Sequence, residues 1–392
     1  MKILHLCLAN FYIDNFSYQE NILPKYHKII GHEVSIIASL STFDENGNET
    51  YLHSESSYTN EYNIPVHRIN YKNFIKPIQR RLRRYANFYQ TLLSEAPDII
   101  FIHGCQFYDI KQVVKYLKTH PDVKVYVDNH ADFSNSARNL VSKNILHKIL
   151  WRHCARLIEP YTTKFYGVLP ARVDFLKTVY KLPKDKIELL VMGADDEKVA
   201  EAKDISVRRA IREKLNINQN DFLIMTGGKI DSAKKQTLLL MESVKQIDRN
   251  NVKLIVFGSV TLELKDELNS LCDGIKIQYI GWINAADSYK YFAAADLAVF
   301  PGRHSVFWEQ VVGIGIPMIV KYWDGTTHID IGGNCKFLYK DSVEEIKEAI
   351  CFLIDYPNVF EEMKNVAITK GMDAFSYRKI AQRSISTNKL LS

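Results

Sequence analysis

The chain has 392 residues, of which 46% are hydrophobic and 24% are charged, and its formal net charge is +6. This composition is that of a globular protein and excludes a disordered or collagen-like chain, while the length exceeds what one core usually supports, so we expect two large domains. The positive charge is too small to indicate nucleic-acid binding, but it is compatible with phosphate-bearing ligands or an anionic membrane surface.

The cysteines and the apolar runs indicate the compartment. The six cysteines are scattered, with no C-x-x-C pair and no zinc-ligand spacing, as expected in a reducing cytosol. The opening segment MKILHLCLAN soon turns polar and is interpreted as a buried strand rather than a signal peptide. No apolar stretch approaches the ~20 residues of a membrane-spanning helix, so we expect a cytoplasmic protein whose membrane contact is at most peripheral.

The first half of the sequence alternates short apolar runs with helix-like segments, a pattern typical of parallel strands buried on both faces. The predicted strands of this half are 2–8, 33–38, 98–103, 123–128 and 165–169.

Residues 75–93 predict an amphipathic helix with a strongly basic start. Its apolar face would hold Ile78, Leu82, Tyr85, Phe88 or Tyr89, and Leu92, and its basic residues are Lys76, Arg80, Arg81, Arg83 and Arg84. One interpretation is a membrane-surface helix that binds anionic lipid or the phosphate of a lipid-linked acceptor. The other is a helix packed on the core with a solvated basic face, and the sequence leaves both open.

The second half repeats the alternation after a charged, helix-prone segment at 195–220. Its predicted strands are 222–226, 252–257, 275–280, 297–300 and 317–321. Two such blocks predict an α/β protein of two doubly wound, Rossmann-like domains facing across a cleft, with ligands at the carboxyl ends of the strands. We expect the domains at 1–198 and 199–375, with a closing helix at 376–392 that packs on the first.

The turn after the strand 222–226 is a candidate phosphate site. A glycine pair ending at Gly228 frees backbone amides, the next helix offers its positive N-terminus, and Lys229 and Lys234 supply cations that match a diphosphate. Lys235 is the alternative to Lys234. The segment is neither a Walker loop nor a G-x-G-x-x-G fingerprint, and taken alone it is better explained as a solvated lysine cluster.

A second candidate lies in the stretch 293–320. A strand ends at Gly302, a short loop follows, and a helix beginning near Val306 presents Glu309. Loop amides at a helix start can bind an anion, and a carboxylate one turn inside can accept two hydrogen bonds from a ribose diol. The alternative for Glu309 is a first-turn partner of the helix dipole.

The order of these elements resembles bacterial glycosyltransferases of family 4, retaining enzymes of GT-B fold that build capsule, O-antigen and related glycans. MKILHLCLAN and GHEVSIIAS are similar to the family's first strands, VMGADD to its segment before the linker, and GGKIDSAKK to its phosphate-binding segment. KLIVFGS, QYIGWI and AADLAVFPG follow in the family's order, and FSYRKIA resembles its closing helix. The resemblance covers nearly the whole chain and implies the GT-B fold and glycosyl transfer.

Carried onto this sequence, the resemblance implies that Lys229 and Lys234 hold the donor diphosphate. Glu309 corresponds to the second glutamate of the family's E-x7-E motif, which binds the nucleotide ribose.

The first glutamate of that motif is missing, because Pro301 stands eight residues before Glu309 and the loop is short. His304 and Ser305 are therefore expected beside the donor sugar, His304 as a candidate catalytic residue, and Val306 is expected at the donor as well. The departure removes the usual basis for inferring the donor's identity.

In the first domain, the strand 123–128 runs into His130, which resembles a histidine that family members point at the donor sugar and the reacting phosphate. A neutral imidazole could donate to a sugar hydroxyl or orient the acceptor. The alternative is a histidine that only caps the loop.

The first loop, 10–21, lacks the glycines usual in the family. Tyr18, Gln19 and Glu20 are therefore interpreted as acceptor-facing or as helix-capping residues.

The resemblance implies retaining transfer from a nucleotide sugar, a UDP- or GDP-sugar, to a glycan or lipid-linked acceptor in bacterial surface polysaccharide biosynthesis, on the cytoplasmic face of the inner membrane. No D-x-D element stands at a strand end, so we expect no metal and no cofactor. Two alternatives stay open: a sugar-nucleotide epimerase of the same fold, and a non-catalytic GT-B-like scaffold subunit.

Overall fold

The computed structural model describes residues 1–9, 11–43, 49–137 and 139–386. The chain divides into two compact units, the first made of Met1–Val191 and Ile380–Ser392 and the second of Met192–Lys379. Each unit has its own largely parallel β-sheet, as the alternating sequence pattern predicted.

The first unit is built on an eight-stranded sheet. The strands of this sheet are β1 (Lys2–Cys7), β2 (Glu33–Ala38), β5 (Ser56–Thr59), β6 (Pro65–Arg68), β7 (Ile99–His103), β8 (Lys124–Asn129), β9 (Thr162–Gly167) and β10 (Ile187–Leu189). Two further strands, β3 (Ser41–Phe43) and β4 (Glu49–Tyr51), form a separate two-stranded sheet. The order in the eight-stranded sheet is β10-β9-β8-β7-β1-β2-β6-β5, and within it β5 and β6 pair antiparallel while the other neighbours are parallel. The five strands predicted in this half are confirmed.

The centre of this sheet, β1, β7 and β8, is apolar on both faces apart from a few polar side chains. His5, His103 and Asp128 lie on these three neighbouring strands and are fully buried. His103 is in register with Asp128, so the sheet itself brings them together. Buried polar groups need partners to offset their lost hydration, so the contacts of these side chains bear on function.

The helices of the first unit connect successive strands. They are α1 (Gln19–Ile29), α2 (Lys76–Leu82), α3 (Phe88–Glu95), α4 (Ile110–Leu117), a π-helix (Ser142–Trp151), α5 (Arg152–Ile158) and α6 (Pro170–Phe175), with shorter turns at Glu159–Tyr161, Leu176–Tyr180 and Lys184–Lys186. Among all the residues that the structure describes, no helix is long and apolar enough to cross a membrane.

The prediction of one continuous helix at 75–93 is wrong. Arg83 and Asn87 adopt left-handed backbone conformations, with φ of 53° and 54°, and the helical hydrogen bonding stops between them. Such a conformation is uncommon for a residue with a side chain, and it separates α2 from α3.

The break divides the apolar residues of that segment into two groups. Tyr85, Phe88 and Leu92 are buried in the core, as the packed-helix interpretation expected. Phe74 and Ile78, at the α2 end, keep 76% and 48% of their surfaces exposed. An exposed apolar and basic surface is therefore confined to α2 and the residues just before it.

The second unit is built on a six-stranded sheet. Its elements are α7 (Asp196–Ala202), α8 (Ile205–Lys214), β11 (Phe222–Gly227), α9 (Gln236–Lys245), β12 (Val252–Phe257), α10 (Leu262–Leu271), β13 (Ile277–Tyr279), α11 (Ala285–Ala294), β14 (Leu297–Phe300), α12 (Phe307–Ile314), β15 (Met318–Lys321), a 3-10 turn (Thr327–Ile329), β16 (Cys335–Leu338), α13 (Val343–Asp355) and α14 (Pro357–Phe375). The order β13-β12-β11-β14-β15-β16 is all parallel. It reverses direction between β11 and β14, and ligands of doubly wound sheets bind at such a switch point.

The unit boundary differs from the sequence-based one, since residues 192–198 lie in the second unit. The Ala194 amide donates to the Phe375 carbonyl at 2.7 Å, and the Ala194 carbonyl accepts from the Tyr377 amide at 3.2 Å. Asp195 caps α7 through its side chain. The segment is thus tied by hydrogen bonds to the end of α14.

The closing helix is α15 (Tyr377–Ser384), and the chain from Ile380 onward is grouped with the first unit. The carbonyl of Ile385 accepts from the Tyr126 hydroxyl, and Arg383 donates to the Leu189 carbonyl. The rest of the predicted helix, 387–392, lies outside the described residues.

Candidate active site

The switch point of the second sheet brings two loops together, one after β11 and one after β14. They line a pocket whose polar members include Gly228, Lys229, Lys234, Arg303 and Ser305. The first three and Ser305 were predicted at the donor, and Arg303 joins them from the β14 loop. Adjacent parallel strands end at the same edge of a sheet, which is why residues distant in sequence meet here.

Backbone packing fixes the shape of this pocket. Gly228 has φ +127°, and a Cβ added at Gly258, which has φ +123°, would lie 1.9 Å from the Gly228 carbonyl oxygen. The two turns therefore pack backbone against backbone, which glycine alone permits. The Gly228 amide donates to the Phe257 carbonyl at 3.1 Å, so this amide, expected to be free for phosphate, is engaged in holding the loop.

The positive charge of the pocket comes from three side chains. Burial lowers the pKa of Lys234, the charges of Arg303 and Lys229 lower it further, and only Asp231 opposes them. A depressed lysine pKa beside two other cations indicates an electrostatic field that a bound anion would relieve. Lys229 is the most accessible of the three, with 56% of its side chain exposed.

Lys235, the alternative to Lys234, stands apart from this pocket. It is the exposed N-cap residue of α9, and its charge acts on Asp341, whose pKa is lowered chiefly by a hydrogen bond from Lys321. The geometry thus favours Lys234 as the second lysine of the site.

Glu309 lies in the first turn of α12, as predicted, but it has no accessible surface. Its Oε1 lies 2.8 Å from His304 Nε2 and 2.9 Å from His328 Nε2, and Oε2 is buried without a hydrogen-bond partner. Burial would raise the pKa of Glu309, but the two imidazoles lower it to about 2. The carboxylate is therefore ionised at neutral pH and occupied in orienting two histidines.

This arrangement differs from the ribose contact expected for Glu309. A carboxylate must be reached by a ligand to accept its hydroxyls, and here the imidazoles cover it. His304 keeps 10% of its side chain accessible and lies beside Trp308. Val306 is the N-cap residue of α12 and is not among the residues lining the pocket.

His328 was missed by the sequence analysis. It lies on the 3-10 turn after β15, the neighbour of β14, so its loop starts at the same sheet edge as the loop of His304. Trp323 ties the two loops by donating to the Gly302 carbonyl at 3.3 Å. The sequence does show a histidine in the loop after the predicted strand 317–321. Only the order of the strands in the sheet reveals that this loop lies beside the loop of His304.

His130 follows β8 in the first unit and keeps 18% of its side chain accessible. Its Nε2 lies 3.3 Å from Asp128 Oδ2, and that oxygen also accepts from His103 Nδ1 at 2.8 Å. Burial alone would lower the pKa of His130, but the charges of Asp128 and Glu20 raise it. Burial would raise the pKa of Asp128, but His103 and His130 hold it well below its usual range.

The three residues predicted to face the acceptor begin α1. The Tyr18 carbonyl accepts from the amides of Asn21 and Ile22, so Tyr18 starts the helix through its backbone, and 36% of its surface is exposed. Gln19 is buried and donates to Asp128 Oδ2 at 3.1 Å. Glu20 is buried and acts electrostatically on His130. Gln19 and Glu20 therefore belong to the surroundings of His130.

A cavity of about 660 Å³ opens at His130 within the first unit. Three arginines contribute to its lining, namely Arg80, Arg81 and Arg83. Arg83 is held by donation to the Gln106 carbonyl at 2.6 Å. The cavity therefore joins the candidate catalytic histidine to a basic surface.

Two groups of potential metal ligands occur among the described residues: Glu20, His103 and His130, and His304, Glu309 and His328. In the second group both imidazole Nε2 atoms point at one carboxylate oxygen. These contacts are ordinary hydrogen bonds rather than donors arranged around a common ion.

Residues 221–356 match the family model described as "Glycosyl transferases group 1". The matched range contains the pocket and the Glu309 cluster, and the match supports a glycosyltransferase of this group. The curated "Uncharacterized glycosyltransferase MJ1607" of Methanocaldococcus jannaschii is 21% identical over 227 residues, 54% of this chain and 56% of that protein. The aligned region thus spans little more than half of this relative.

Solved structures match nearly the whole chain. Anabaena Alr3699/HepE in complex with UDP has a TM-score of 0.66 at 14% identity, covering 98% of each chain. UDP-GlcNAc 2-epimerase from Neisseria meningitidis bound to UDP-GlcNAc has a TM-score of 0.61 at 13% identity, covering 99% of each chain. The likeness confirms the predicted two-domain α/β architecture of GT-B type.

Proposed function

We propose that this protein is a nucleotide-sugar glycosyltransferase of family 4 that transfers its sugar with retention of anomeric configuration. The observation that carries the proposal is the cation cluster of Lys229, Lys234 and Arg303 at the switch point of the second sheet. It lies within the residues that match group 1 glycosyltransferases.

The donor's diphosphate would bind at this cluster. A leaving diphosphate gains negative charge as the glycosidic bond breaks, and fixed ammonium and guanidinium groups stabilise that charge in the transition state. Each charge-assisted hydrogen bond contributes about 1.5–3 kcal/mol. The side chains of Lys229, Lys234 and Arg303 supply this stabilisation without a metal ion, so we propose metal-independent transfer from a UDP- or GDP-sugar.

Retention is the finer part of the proposal. The bond from the anomeric carbon to the phosphate oxygen breaks, and the bond to the acceptor hydroxyl oxygen forms on the same face of the sugar. The acceptor proton passes to the departing phosphate oxygen, which balances the reaction. His130, whose raised pKa favours an imidazolium, would stabilise the transferring sugar or its phosphate.

The acceptor side is proposed at the cavity beside His130. The arginines of its lining favour an acceptor that carries phosphate. The exposed apolar residues Phe74 and Ile78 adjoin the same basic segment and favour a lipid-linked acceptor at an anionic membrane. Surface polysaccharide synthesis is the role that this combination supports.

A donor screen tests the central claim. We expect one UDP- or GDP-sugar to raise the melting temperature by several degrees at saturating concentration, because a ligand at 100 times its Kd stabilises the native state by about 2.7 kcal/mol. The shift should persist in EDTA. Absence of stabilisation by every donor of a UDP-, GDP- and dTDP-sugar panel would contradict nucleotide-sugar binding.

Product analysis with the stabilising donor separates transfer from epimerisation. Incubation without acceptor should leave the donor sugar unchanged apart from slow hydrolysis. A new epimer under these conditions would favour the epimerase instead, and donor binding with neither product would favour a scaffold subunit. The anomeric coupling of the transferred sugar in the NMR spectrum reports retention or inversion.

Membrane contact is testable by sedimentation with vesicles. We expect the protein to sediment with phosphatidylglycerol vesicles at low salt and much less with phosphatidylcholine vesicles, because the basic residues of α2 attract anionic lipid. The double variant Phe74→Glu, Ile78→Glu should lose most of this binding. Ile205→Glu, at an isoleucine of the second unit that is 68% exposed, is the control and should bind normally. Equal binding by all three proteins would overturn the assignment.

A further inference from the structure

Three buried histidines extend inward from the candidate catalytic pair of Asp128 and His130. His103 Nδ1 lies 2.8 Å from Asp128 Oδ2, and His103 Nε2 lies 2.9 Å from His5 Nδ1. His5 Nε2 in turn lies 3.0 Å from His27 Nδ1. We call His103, His5 and His27 the histidine chain.

The far end of the histidine chain lies at the closing helix of the protein. His27 Nε2 lies 2.9 Å from the Ser384 hydroxyl oxygen and 3.2 Å from the Ala381 carbonyl oxygen. Both belong to α15, in the part that is grouped with the first unit. The chain thus runs from α15 through the centre of the sheet to the cavity.

The groups at the two ends of the chain determine which nitrogens carry protons. An ionised carboxylate only accepts hydrogen bonds, so His103 donates from Nδ1. At the other end, the Ser384 hydroxyl donates to the Ala381 carbonyl at 2.9 Å, and a carbonyl only accepts, so His27 donates from Nε2. His27 then accepts at Nδ1 from His5 Nε2, and His5 accepts at Nδ1 from His103 Nε2. His5 and His27 therefore share one tautomer, and His103 donates from both ring nitrogens.

Neutrality of the inner rings is consistent with their surroundings. Burial, with the neighbouring histidines, lowers the pKa of His5 well below its usual value, and burial lowers that of His27 to about 3. All three rings have no accessible surface. Aligned hydrogen bonds in such an interior polarise one another and strengthen by about 10–30% per bond.

We propose that the histidine chain positions Asp128 for catalysis, holding its carboxylate at ion-pair distance from His130 Nε2, 3.3 Å away, so that His130 presents Nδ1 to the cavity. The chain residues have no accessible surface and act through Asp128. This inference rests on the proposed function, because glycosyl transfer is the reaction that Asp128 would serve. The protonated nitrogens that it predicts can be measured without an assay of transfer.

Other titratable and polar side chains also face Asp128, His130 and the histidine chain. Gln19 donates to the same Asp128 oxygen, Glu20 raises the pKa of His130, and Arg172 opposes it. His32 adjoins the far end, at His27. None of them replaces the His103 donor, since Gln19 makes the longer contact at 3.1 Å.

The first measurement uses the unmodified protein. In histidine-labelled protein at neutral pH, 15N chemical shifts should identify His5 and His27 as Nε2–H tautomers. An Nδ1–H tautomer or a mixture at either ring would overturn the inference. This test needs neither a variant nor a substrate.

The second measurement compares variants of His103. His103→Leu removes the donor to Asp128, and we expect kcat to fall about 10–100-fold with KM within about threefold, the pattern of lost positioning. The apparent pKa of His130, followed by its imidazole C–H resonance, should rise, because the charge of Asp128 is then shared with one histidine fewer. His103→Asn keeps an N–H near the position of Nδ1–H and should restore most of both. His5→Phe interrupts the chain one residue further away and should have a smaller effect of the same sign.

The outcomes separate the two proposals. An unchanged His130 titration in His103→Leu, or no recovery in folded His103→Asn, would overturn the positioning role. A shifted titration in a protein that shows no transfer with any donor would instead leave the chain standing and remove the proposed function.

Discussion

The double variant Lys229→Ala, Lys234→Ala is expected to lose at least about 100-fold in kcat/KM for the donor while remaining folded. Each lysine offers a charge-assisted hydrogen bond to the diphosphate, worth about 1.5–3 kcal/mol, and 1.36 kcal/mol corresponds to a factor of ten in rate. Lys229 is largely exposed and Lys234 is held among like charges, so removing them leaves no unpaired buried partner. Donor-dependent turnover is the measurement, with the melting temperature as the test of folding.

Lys235→Ala provides a matched control for this variant. It removes one positive charge from the same segment but from outside the pocket. We expect turnover within about twofold of normal, because a single exposed charge outside the site is screened by salt. If the control loses as much as the double variant, the diphosphate is bound elsewhere and net charge explains the loss.

His130→Ala should lower kcat about 100-fold or more with a much smaller change in donor affinity. A positioned imidazole typically contributes 10²–10⁴-fold to a reaction in which it transfers a proton or meets developing charge. The variant also leaves Asp128 without one of its cationic partners, so a modest loss of stability is expected. Steady-state kinetics and donor binding by calorimetry separate the two effects.

His153→Ala is the control for His130. This histidine is exposed on α5 and does not line the cavity. It should behave as the unmodified protein in both assays. Equal losses of turnover and donor affinity in His130→Ala would instead assign His130 to donor binding.

The strands of both sheets could be predicted because parallel strands buried on both faces leave continuous apolar runs. β7 (IIFIH) and β12 (VKLIVF) carry that signal in full. The short edge strands β5, β10 and β16 carry little of it, because an edge strand buries fewer side chains. The break between α2 and α3 had only a weak signal, because Asn87 tolerates φ > 0 but arginine, as at position 83, does not favour it.

The site could be predicted where one loop contains the chemistry. Lys229 and Lys234 follow one strand closely, so the sequence nominated them together, but only the family resemblance implied that they hold a diphosphate. His5, His27, His103 and His328 lie in four separate elements, and only sheet order and register reveal which nitrogen meets which oxygen. The burial of Glu309 likewise depends on His328, which lies in the loop after β15.

The backbone contact between Gly228 and Gly258 has an evolutionary consequence. Position 258 cannot acquire a methyl group without displacing the turn at Gly228, whereas a methyl group at 228 would meet no atom within 4 Å and is opposed only by the positive φ. A descendant with alanine at 258 would therefore signal a rebuilt entrance to the anion pocket and, with it, an altered choice of substrate.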